Sequence, residues 1–410
     1  MSAAHLYQND EDRTPISLEF QTEAMSYLSS ELATLDLDSP SPPASEVTRD
    51  TSNSQTALVK DELLLSIILL GMTAAWHDPS SLGLSHLSGS RPLFKAWMSS
   101  HGLDNANDSS PLTQSQSFMV SSMAYWEAMA SFLVDQESEA LSYLDNFLHP
   151  SPLALTYPSP WTGVGTPIFI YLAKTGTLLR KKRTLRNLKL FKHGDSCRTV
   201  LYSELVDEAR ALEQDILKTQ LPFVSLIEDT GDVYAPPDHF RRIARCYRLA
   251  ALLELYRAFP EVAEDSTTSE QTRRFDKPGL GKQAQLVLGL AFSILGLVES
   301  IPDDSSTKTT HNLLLLIAGS ALARLSPDFH TLNQDVAHRR QFVRDRVVKL
   351  HMCVGLRPVT HVSIILDEVW IRMDWAVKSG SEAGAKDNLF SDRVHWVDIM
   401  FEKRLETILG

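Results

Sequence analysis

The chain has 410 residues, 43% of them hydrophobic, and its 39 basic and 51 acidic side chains give a formal net charge of −12. This length and apolar content favour a globular protein with a sizeable core over a disordered one. The excess of negative charge repels a phosphate backbone, which disfavours direct binding to nucleic acid.

The three cysteines, Cys197, Cys246 and Cys353, lie far apart and form neither a disulfide framework nor a CxxC pair, which suits a reducing compartment. The N-terminus lacks the basic start and apolar core of a signal peptide. The longest apolar stretches, 63–72 and 286–298, are shorter than the roughly 20 residues that cross a bilayer. We therefore expect an intracellular protein with no membrane partner.

The predicted elements are helices throughout. Residues 1–16 are polar and acidic and predict a flexible tail, and the apolar spacing that follows predicts an amphipathic helix over 17–36. A further helix is expected soon after Pro79. The other predicted helices are 60–76, 116–135, 168–183, 203–219, 238–259, 281–299, 308–325, 335–353, 360–378 and 394–409. Because no segment alternates with period two, the pattern predicts an all-α, multi-helix array.

Segments rich in proline, glycine or polar residues separate these helices. We expect loops near residues 37–57, 102–115, 149–167 and 260–280. No internal repeat of fixed period is found, which disfavours a solenoid. Residues 17–410 are therefore predicted to form one helical domain.

Sequence motifs of enzymes are not found. Gly163-Val-Gly165 lacks the third glycine of a dinucleotide fingerprint and follows a proline-rich loop instead of a strand. A nucleophile elbow, a Walker A loop and an HExxH helix are missing too. Asp303-Asp304 follows a proline, where aspartate serves turns and helix caps more often than a metal. We expect no catalytic residue and no cofactor.

The histidines offer no zinc site. They never fall into a Cys/His cluster with zinc spacing. His330 and His338 are eight residues apart, but Pro327 and Asn333 predict a break in the helix, so we interpret them as lone histidines. We expect no bound metal.

The strongest charge feature is the cationic strip (residues 180–192), whose basic residues are Arg180, Lys181, Lys182, Arg183, Arg186, Lys189 and Lys192. One interpretation is a nuclear-import signal or a strip that contacts phosphates. The other is a solvated helix face, because Leu185, Leu188 and Phe191 recur every three residues and can dock while the cations point outward. We favour the solvated face and place import ahead of DNA binding. The two interpretations are not exclusive.

Two further patterns allow a functional and a structural interpretation. Residues 14–48 contain no Lys or Arg and place acidic residues among leucines and aromatics, as an activation segment does, although the helical spacing favours a packed helix. Tryptophans Trp126, Trp370, Trp375 and Trp396 are better interpreted as core anchors than as a ligand cage.

Two stretches carry a family resemblance. Pro158-Ser-Pro-Trp-Thr-Gly-Val-Gly-Thr-Pro-Ile-Phe-Ile-Tyr-Leu-Ala173 and Cys246-Tyr-Arg-Leu-Ala-Ala-Leu-Leu-Glu-Leu-Tyr-Arg-Ala-Phe-Pro260 resemble the regulatory domain of fungal zinc-cluster transcription factors. Asp61–Gly71 and Tyr125–Phe132 are similar to helices of that domain. The resemblance extends from about residue 17 to the C-terminus and implies an all-α regulatory fold.

The resemblance also carries functional expectations. Members read DNA through an N-terminal cluster of six cysteines that holds two zinc ions, and three scattered cysteines cannot build it. We therefore expect a nuclear, transcription-regulator-like protein without its own zinc cluster, tied to a fungal metabolic or biosynthetic pathway. Its expected partners are other transcription regulators or a second copy, with DNA bound weakly or indirectly and no effector assigned. The alternative is a helical scaffold or metabolite-sensing protein in the cytoplasm.

Overall fold

The computed structural model describes residues 14–33, 59–77, 81–104, 111–151, 154–187, 195–266, 275, 279–355, 357–379 and 394–408. These residues group into two compact units, Met1–Ser109 and Ser110–Gly410. The sequence predicted a tail over 1–16 and one helical domain over 17–410, and these bounds stay a prediction.

Helices make up both units. In chain order they are α1 (Thr14–Leu32), α2 (Asp61–His77), α3 (Leu84–Ser100), α4 (Gln114–Ser131), α5 (Thr166–Asn187), α6 (Asp195–Lys218), α7 (Pro237–Ala258), α8 (Pro260–Asp265), α9 (Lys282–Glu299), α10 (His311–Ser320), α11 (His330–Val354), α12 (Arg357–Ser379) and α13 (Trp396–Glu402). Ser138–Phe147 forms a long 3-10 helix that the sequence did not predict. The described residues contain no strand, so the predicted all-α class is confirmed.

The first unit packs α2 against α1 and α3. Apolar residues cover most of α2, and Leu64 and Ile68 are fully buried. The indole Nε1 of Trp97 on α3 donates to Asp61 Oδ1 at 2.6 Å, which joins the first turn of α2 to α3. Helix α1 buries Leu28, so the described part of the predicted 17–36 segment packs as a helix.

The second unit has a core of four helices, α4, α5, α7 and α9, which pack against one another in that order. Helix α10 is buried on every side because α7, α9, α11 and α12 surround it. Gly319 allows this close packing, since a Cβ there would lie 3.1 Å from Leu366 and 3.2 Å from Val343. Helices α11 and α12 form the outer hairpin, and α13 packs on α12 and α10.

Helix α9 is strongly apolar. By length and composition Lys282–Glu299 could cross a membrane, and it is the one such helix among the described residues. In the fold, 67% of it is buried inside the protein, where it packs against α7, α10 and α8. This environment is that of a core helix.

One predicted break does not exist. Helix α11 runs without interruption through His330 and His338. Pro327 lies in the 3-10 turn before the helix, where its missing N–H costs nothing. The side-chain oxygen of Asn333 accepts from Leu325 N at 2.8 Å, so Asn333 closes the preceding turn and leaves the helix intact.

Other boundaries moved as well. The predicted helix 308–325 is a 3-10 turn followed by α10, which ends at Ser320. The predicted last helix, 394–409, ends at Glu402, and Arg404 two residues later has a positive φ of 55°. The loop expected at 260–280 begins with the short α8. Residues 1–13, the loop at 37–57, Pro79 and most of 267–278 lie outside the described residues.

The close approach of α4 and α5 is testable. A Cβ at Gly176 would lie 2.8 Å from Ser131 Cβ, which is too short for two carbon atoms. We expect Gly176→Ala to push α4 from α5 and lower the free energy of unfolding by about 1–3 kcal/mol, measured by chemical denaturation. Gly296→Ala in α9 is the control, since its Cβ meets nothing within 4 Å and alanine favours helix by about 0.5–1 kcal/mol. Equal effects of the two substitutions would contradict the packing argument.

Candidate functional site

The cationic strip occupies the end of α5, and each of its described cations has a partner within the protein. Arg180 contacts Asp135 at 2.9 Å and Lys181 contacts Glu137 at 3.2 Å. The side chain of Lys181 is 24% exposed. The prediction that these cations point into solvent is therefore wrong, because carboxylates distant in sequence fold over them.

The other cations of the strip are also held. Arg183 and Arg186 both bind Asp398 of α13, and the Arg183 side chain is only 12% exposed. Lys182 donates to the carbonyl of Ala258 at the end of α7. Leu185 is buried, as its spacing predicted. Lys189 and Lys192, with Leu188 and Phe191, lie outside the described residues, and the import role stays a prediction.

A buried polar network joins the strip to the C-terminal segment. At its centre is Glu254 of α7, which is fully buried. One of its carboxylate oxygens accepts from the Trp396 indole at 2.8 Å, and the other contacts His395 Nε2 at 2.8 Å. Burial alone raises the pKa of Glu254, but His395, Arg257 and the Trp396 N–H outweigh it and lower the pKa. Glu254 is therefore an ionised carboxylate in the core.

The tautomer of His395 follows from its two hydrogen bonds. Nδ1 accepts from the backbone N–H of Val397, at the start of α13, at 3.2 Å. Nε2 must then carry the proton that is donated to Glu254. Burial lowers the pKa of His395 to about 4, so the imidazole is neutral at physiological pH.

Two arginines complete the network. Arg257, three residues after Glu254, donates to Ser320 Oγ at 2.7 Å and to the carbonyl of Val394 at 2.9 Å. Burial, together with Arg186 and Arg180, lowers the pKa of Arg183 to about 9, which still leaves it charged at neutral pH. The network thus fastens the segment 394–402 to α5, α7 and α10.

The surroundings of this network suit packing better than ligand binding. A cavity of about 10 Å³ lies beside Trp396 and is lined mainly by apolar side chains, among them Met129, Phe132 and Met400. That volume holds about one water molecule, so it is too small for a metabolite. The Phe132 and Trp396 rings lie 5.1 Å apart. We interpret the network as a structural lock.

His311 is a separate buried histidine. It is the first residue of α10, is fully buried, and finds no hydrogen-bond partner for either ring nitrogen among the described residues. Burial, and to a smaller extent His239, lowers its pKa to about 4. A neutral imidazole at this position avoids a cation at the positive end of the helix.

The glycine-rich loop that carries the family resemblance forms a tight turn. Ser159 and Gly163 exchange two backbone hydrogen bonds of 2.9 Å, and Gly163 has a positive φ of 57° that favours glycine. A Cβ at Gly165 would lie 3.2 Å from Ala244 Cβ on α7. Val164 packs against Ala244 and Ile227. The loop therefore packs against and positions the first turns of α7.

The α6–α7 connector (residues 219–236) lies over this loop. Thr156 N donates to Leu226 O at 2.8 Å and Glu228 N donates to Thr156 O at 3.0 Å, which pairs the connector with the proline-rich loop. Leu221 and Phe240 pack against the Val164 cluster. The connector also exposes apolar side chains: Phe223 is 61% exposed and Val233 is 89% exposed.

Two arginines of α7 bind the connector, and a third lies between them in sequence. Arg241 donates from Nε to Pro222 O at 3.0 Å, and Arg248 donates from Nη1 to Thr219 O at 2.9 Å. Arg245 lies between them and is exposed. Burial lowers the pKa of Arg248, with smaller contributions from its two arginine neighbours. The sequence predicted no site at these arginines, although their spacing of four and three residues places them on one helix face.

A second group of exposed apolar side chains lies along α12. Ile364, Ile371 and Trp375 are spaced by seven and four residues and so share one stripe of the helix. Trp126, Trp370 and Trp396 are buried core anchors, as predicted, but Trp375 is 70% exposed, so its prediction is wrong. Trp370 points inward and donates to Gly319 O, whereas Trp375 is about 140° further round the helix.

Metal ligands do not converge in the part of the chain that the structure describes. No group of three or more His, Cys, Asp or Glu side chains there could hold an ion. Cys197 and Cys353 are exposed, whereas Cys246 is buried and its thiol contacts Ile294 O. Burial raises the pKa of Cys246 to about 12, which keeps it a thiol and a poor metal ligand.

The fold and these sites define a class: an all-helical domain whose buried polar residues hold helices together and which exposes several large apolar side chains. Residues 1–410 match the family model of the fungal specific transcription factor domain, and the chain belongs to this family. No curated protein and no solved structure matches the chain. The family is a regulatory transcription factor domain and not an enzyme family, so the resemblance is confirmed and the protein is transcription-regulator-like.

Loss of a cation from the strip should lower the free energy of unfolding more at Arg183 than at Lys181. Arg183→Met keeps the apolar stem but removes one buried donor from Asp398, so we expect the free energy of unfolding to fall by about 1–3 kcal/mol. Lys181→Met is the matched control, because its partner Glu137 is 81% exposed and such pairs contribute about 0–1 kcal/mol. Urea denaturation measures both. A solvated strip would give two equal, small effects.

His311 predicts a pH dependence of stability. The folded protein keeps His311 neutral down to a pKa of about 4, whereas the unfolded chain binds a proton near 6.5. The unfolded state therefore holds more protons between these values, and the free energy of unfolding falls as pH is lowered from 6.5 towards 4. We expect His311→Leu to make this fall shallower in denaturant titrations but not to abolish it, because His395 has a similarly lowered pKa, whereas His351→Leu at an exposed histidine should keep the full fall. A slope unchanged by His311→Leu would refute the assignment.

Proposed function

We propose that this protein acts in the nucleus as a regulator of transcription that works through protein partners, contacts DNA indirectly and has no catalytic role. Its family membership is the observation that carries the proposal, because the whole chain matches a regulatory domain of transcription factors. The regulated genes belong to a metabolic or biosynthetic pathway, as the family resemblance implies. The protein finds its promoters by association with other regulators.

The charge distribution supports indirect contact with DNA. The net charge of −12 opposes approach to a duplex, and the described cations of the strip are occupied by Asp135, Glu137 and Asp398. A phosphate would have to displace these carboxylates. The described part of the strip therefore offers no dense, unpaired cations for non-specific DNA binding.

Exposed apolar residues support contact with partners. The stripe of Ile364, Ile371 and Trp375 on α12, and the connector with Phe223 and Val233, present large apolar side chains outside the core. Aromatic residues of this kind contribute most to protein interfaces. The partner is another regulator or a second copy of this chain, and sedimentation of the purified protein distinguishes the two.

The proposed function predicts a result in fungal cells. When the full chain is fused to an unrelated DNA-binding domain, we expect it to change transcription from a reporter that carries the cognate sites. Without the fusion, the tagged protein should lie in the nucleus and occupy promoters in chromatin immunoprecipitation, yet the purified protein alone should form no sequence-specific complex in gel shifts at physiological salt.

The control is the same fusion carrying Gly176→Ala and Arg183→Met together, which weakens the core and should abolish the response. A specific DNA complex formed without a partner would contradict indirect binding. A tagged protein that stays in the cytoplasm and leaves the reporter unchanged would favour the scaffold or metabolite-sensing alternative. If nuclear accumulation is lost with Lys181→Met and Lys182→Met in a protein that remains stably folded, the strip is also an import signal.

A further inference from the structure

We propose that the three arginines Arg241, Arg245 and Arg248, together with Phe223 of the connector, form a binding site for an acidic, apolar peptide segment of a partner protein. The site deepens the proposed function, on which it rests, by giving the chemistry of the partner. We name these four residues the arginine face.

The geometry places the guanidinium groups on one side of α7. At 100° per residue, Arg241, Arg245 and Arg248 span an arc of about 60°, and they extend over about 10 Å of the helix axis. The connector runs alongside in the opposite direction, because Arg248 holds Thr219 O and Arg241 holds Pro222 O. Arg245 stands between these two anchored arginines and is exposed to solvent.

The unmatched charge is the central observation. In the described part of the chain, no carboxylate lies within salt-bridge distance of Arg241, Arg245 or Arg248, although other arginines such as Arg340 and Arg372 bind Asp or Glu. The two anchored arginines donate to neutral carbonyls, which leaves their positive charge uncompensated. These three arginines form a local positive patch on a protein whose net charge is −12. An anion bound there would neutralise their charge.

The neighbouring apolar side chains indicate which anion fits. Phe223 follows the Pro222 carbonyl that Arg241 holds, and it is 61% exposed. Val224 next to it is 42% exposed, and Leu155 precedes Thr156, which pairs with the connector. A ligand must therefore combine carboxylates for the arginines with apolar groups for Phe223. A peptide that mixes Asp or Glu with Leu or Phe has both, and arginine binds carboxylates through paired hydrogen bonds.

Nucleic acid fits the same surface less well. The connector that carries Phe223 also carries Glu228, Asp229 and Asp232, and these would repel a phosphate chain that continues past the arginines. A short peptide needs only the arginine face itself. Duplex DNA and free phosphate are therefore competitors in the test.

The full-length protein is titrated into a fluorescein-labelled short peptide of Asp, Glu, Leu and Phe, and binding is followed by fluorescence anisotropy. We expect Arg245→Glu to weaken binding at least about tenfold, which corresponds to about 1.4 kcal/mol. Arg245→Lys should recover part of the affinity, because it keeps the charge but loses the paired hydrogen bonds. Phe223→Ser should also weaken binding. Since both side chains are exposed, we expect circular dichroism of these variants to match the unsubstituted protein.

Arg210→Glu is the matched control. It reverses the charge of another exposed arginine, whose partners Asp207 and Asp265 are themselves exposed, and we expect it to change the affinity no more than about twofold. The same peptide with Asn and Gln in place of Asp and Glu should not bind. Inorganic phosphate at the peptide's concentration should not displace the acidic peptide, and duplex DNA should not either.

Several outcomes would overturn the site: equal binding of the Asn/Gln peptide, displacement by phosphate or duplex DNA, or an affinity that Arg245→Glu leaves unchanged. The reporter experiment separates this failure from that of the proposed function. A reporter that responds to a protein unable to bind the acidic peptide refutes the arginine face alone. A protein that binds the peptide through Arg245 but neither enters the nucleus nor changes the reporter refutes the proposed function alone.

Discussion

The larger unit depends on one buried carboxylate. An ionised Glu254 without hydrogen-bond donors would strongly destabilise the fold. The free-energy cost of burying an isolated charge far exceeds the gain from any single packing contact. Its two oxygens instead receive an indole N–H and an imidazole N–H, and a guanidinium lies nearby. Both hydrogen-bonding rings belong to the segment that precedes and begins α13. Glu254 can therefore stay ionised and buried in α7 only while the segment around His395 and Trp396 is in place.

The same logic explains the end of α5. A run of basic residues in an acidic chain is ordinarily expected to face solvent, and composition alone supports that expectation. Arg183 and Arg186 nevertheless converge on Asp398, more than 200 residues away in sequence, and Arg180 lies over the Phe401 ring at 4.6 Å. The paired charges hold α13 against α5. Charge density in sequence thus says little about exposure when the counter-charges are distant.

Features of this protein that depend on nearby residues could be predicted from the sequence, whereas contacts between distant residues could not. Apolar periodicity and the proline-rich breaks predicted the helical class and most helices, because both signals are local. The Glu254 network and the strip's partners were missed, since they join residues from 44 to 215 positions apart. The helical position of Trp375 did carry a signal. The inward-facing residues Val362, Val369 and Met373 share one face of the helix, and Trp375 is rotated away from that face. Testing helical phase, and not only residue type, would have separated it from Trp370.

The glycine-rich loop has a structural role: it positions the helix that carries the proposed binding residues. Gly163 permits the turn and Gly165 permits contact with Ala244, so together they fix the first turns of α7. Helix α7 presents Arg241 and Arg248 to the connector, whose carbonyls hold both side chains. A bulkier residue at Gly165 would shift α7 and thereby change the distance from these arginines to the connector carbonyls. The loop that carries the family resemblance is therefore a structural support, and the proposed partner-binding surface lies on the helix that it positions.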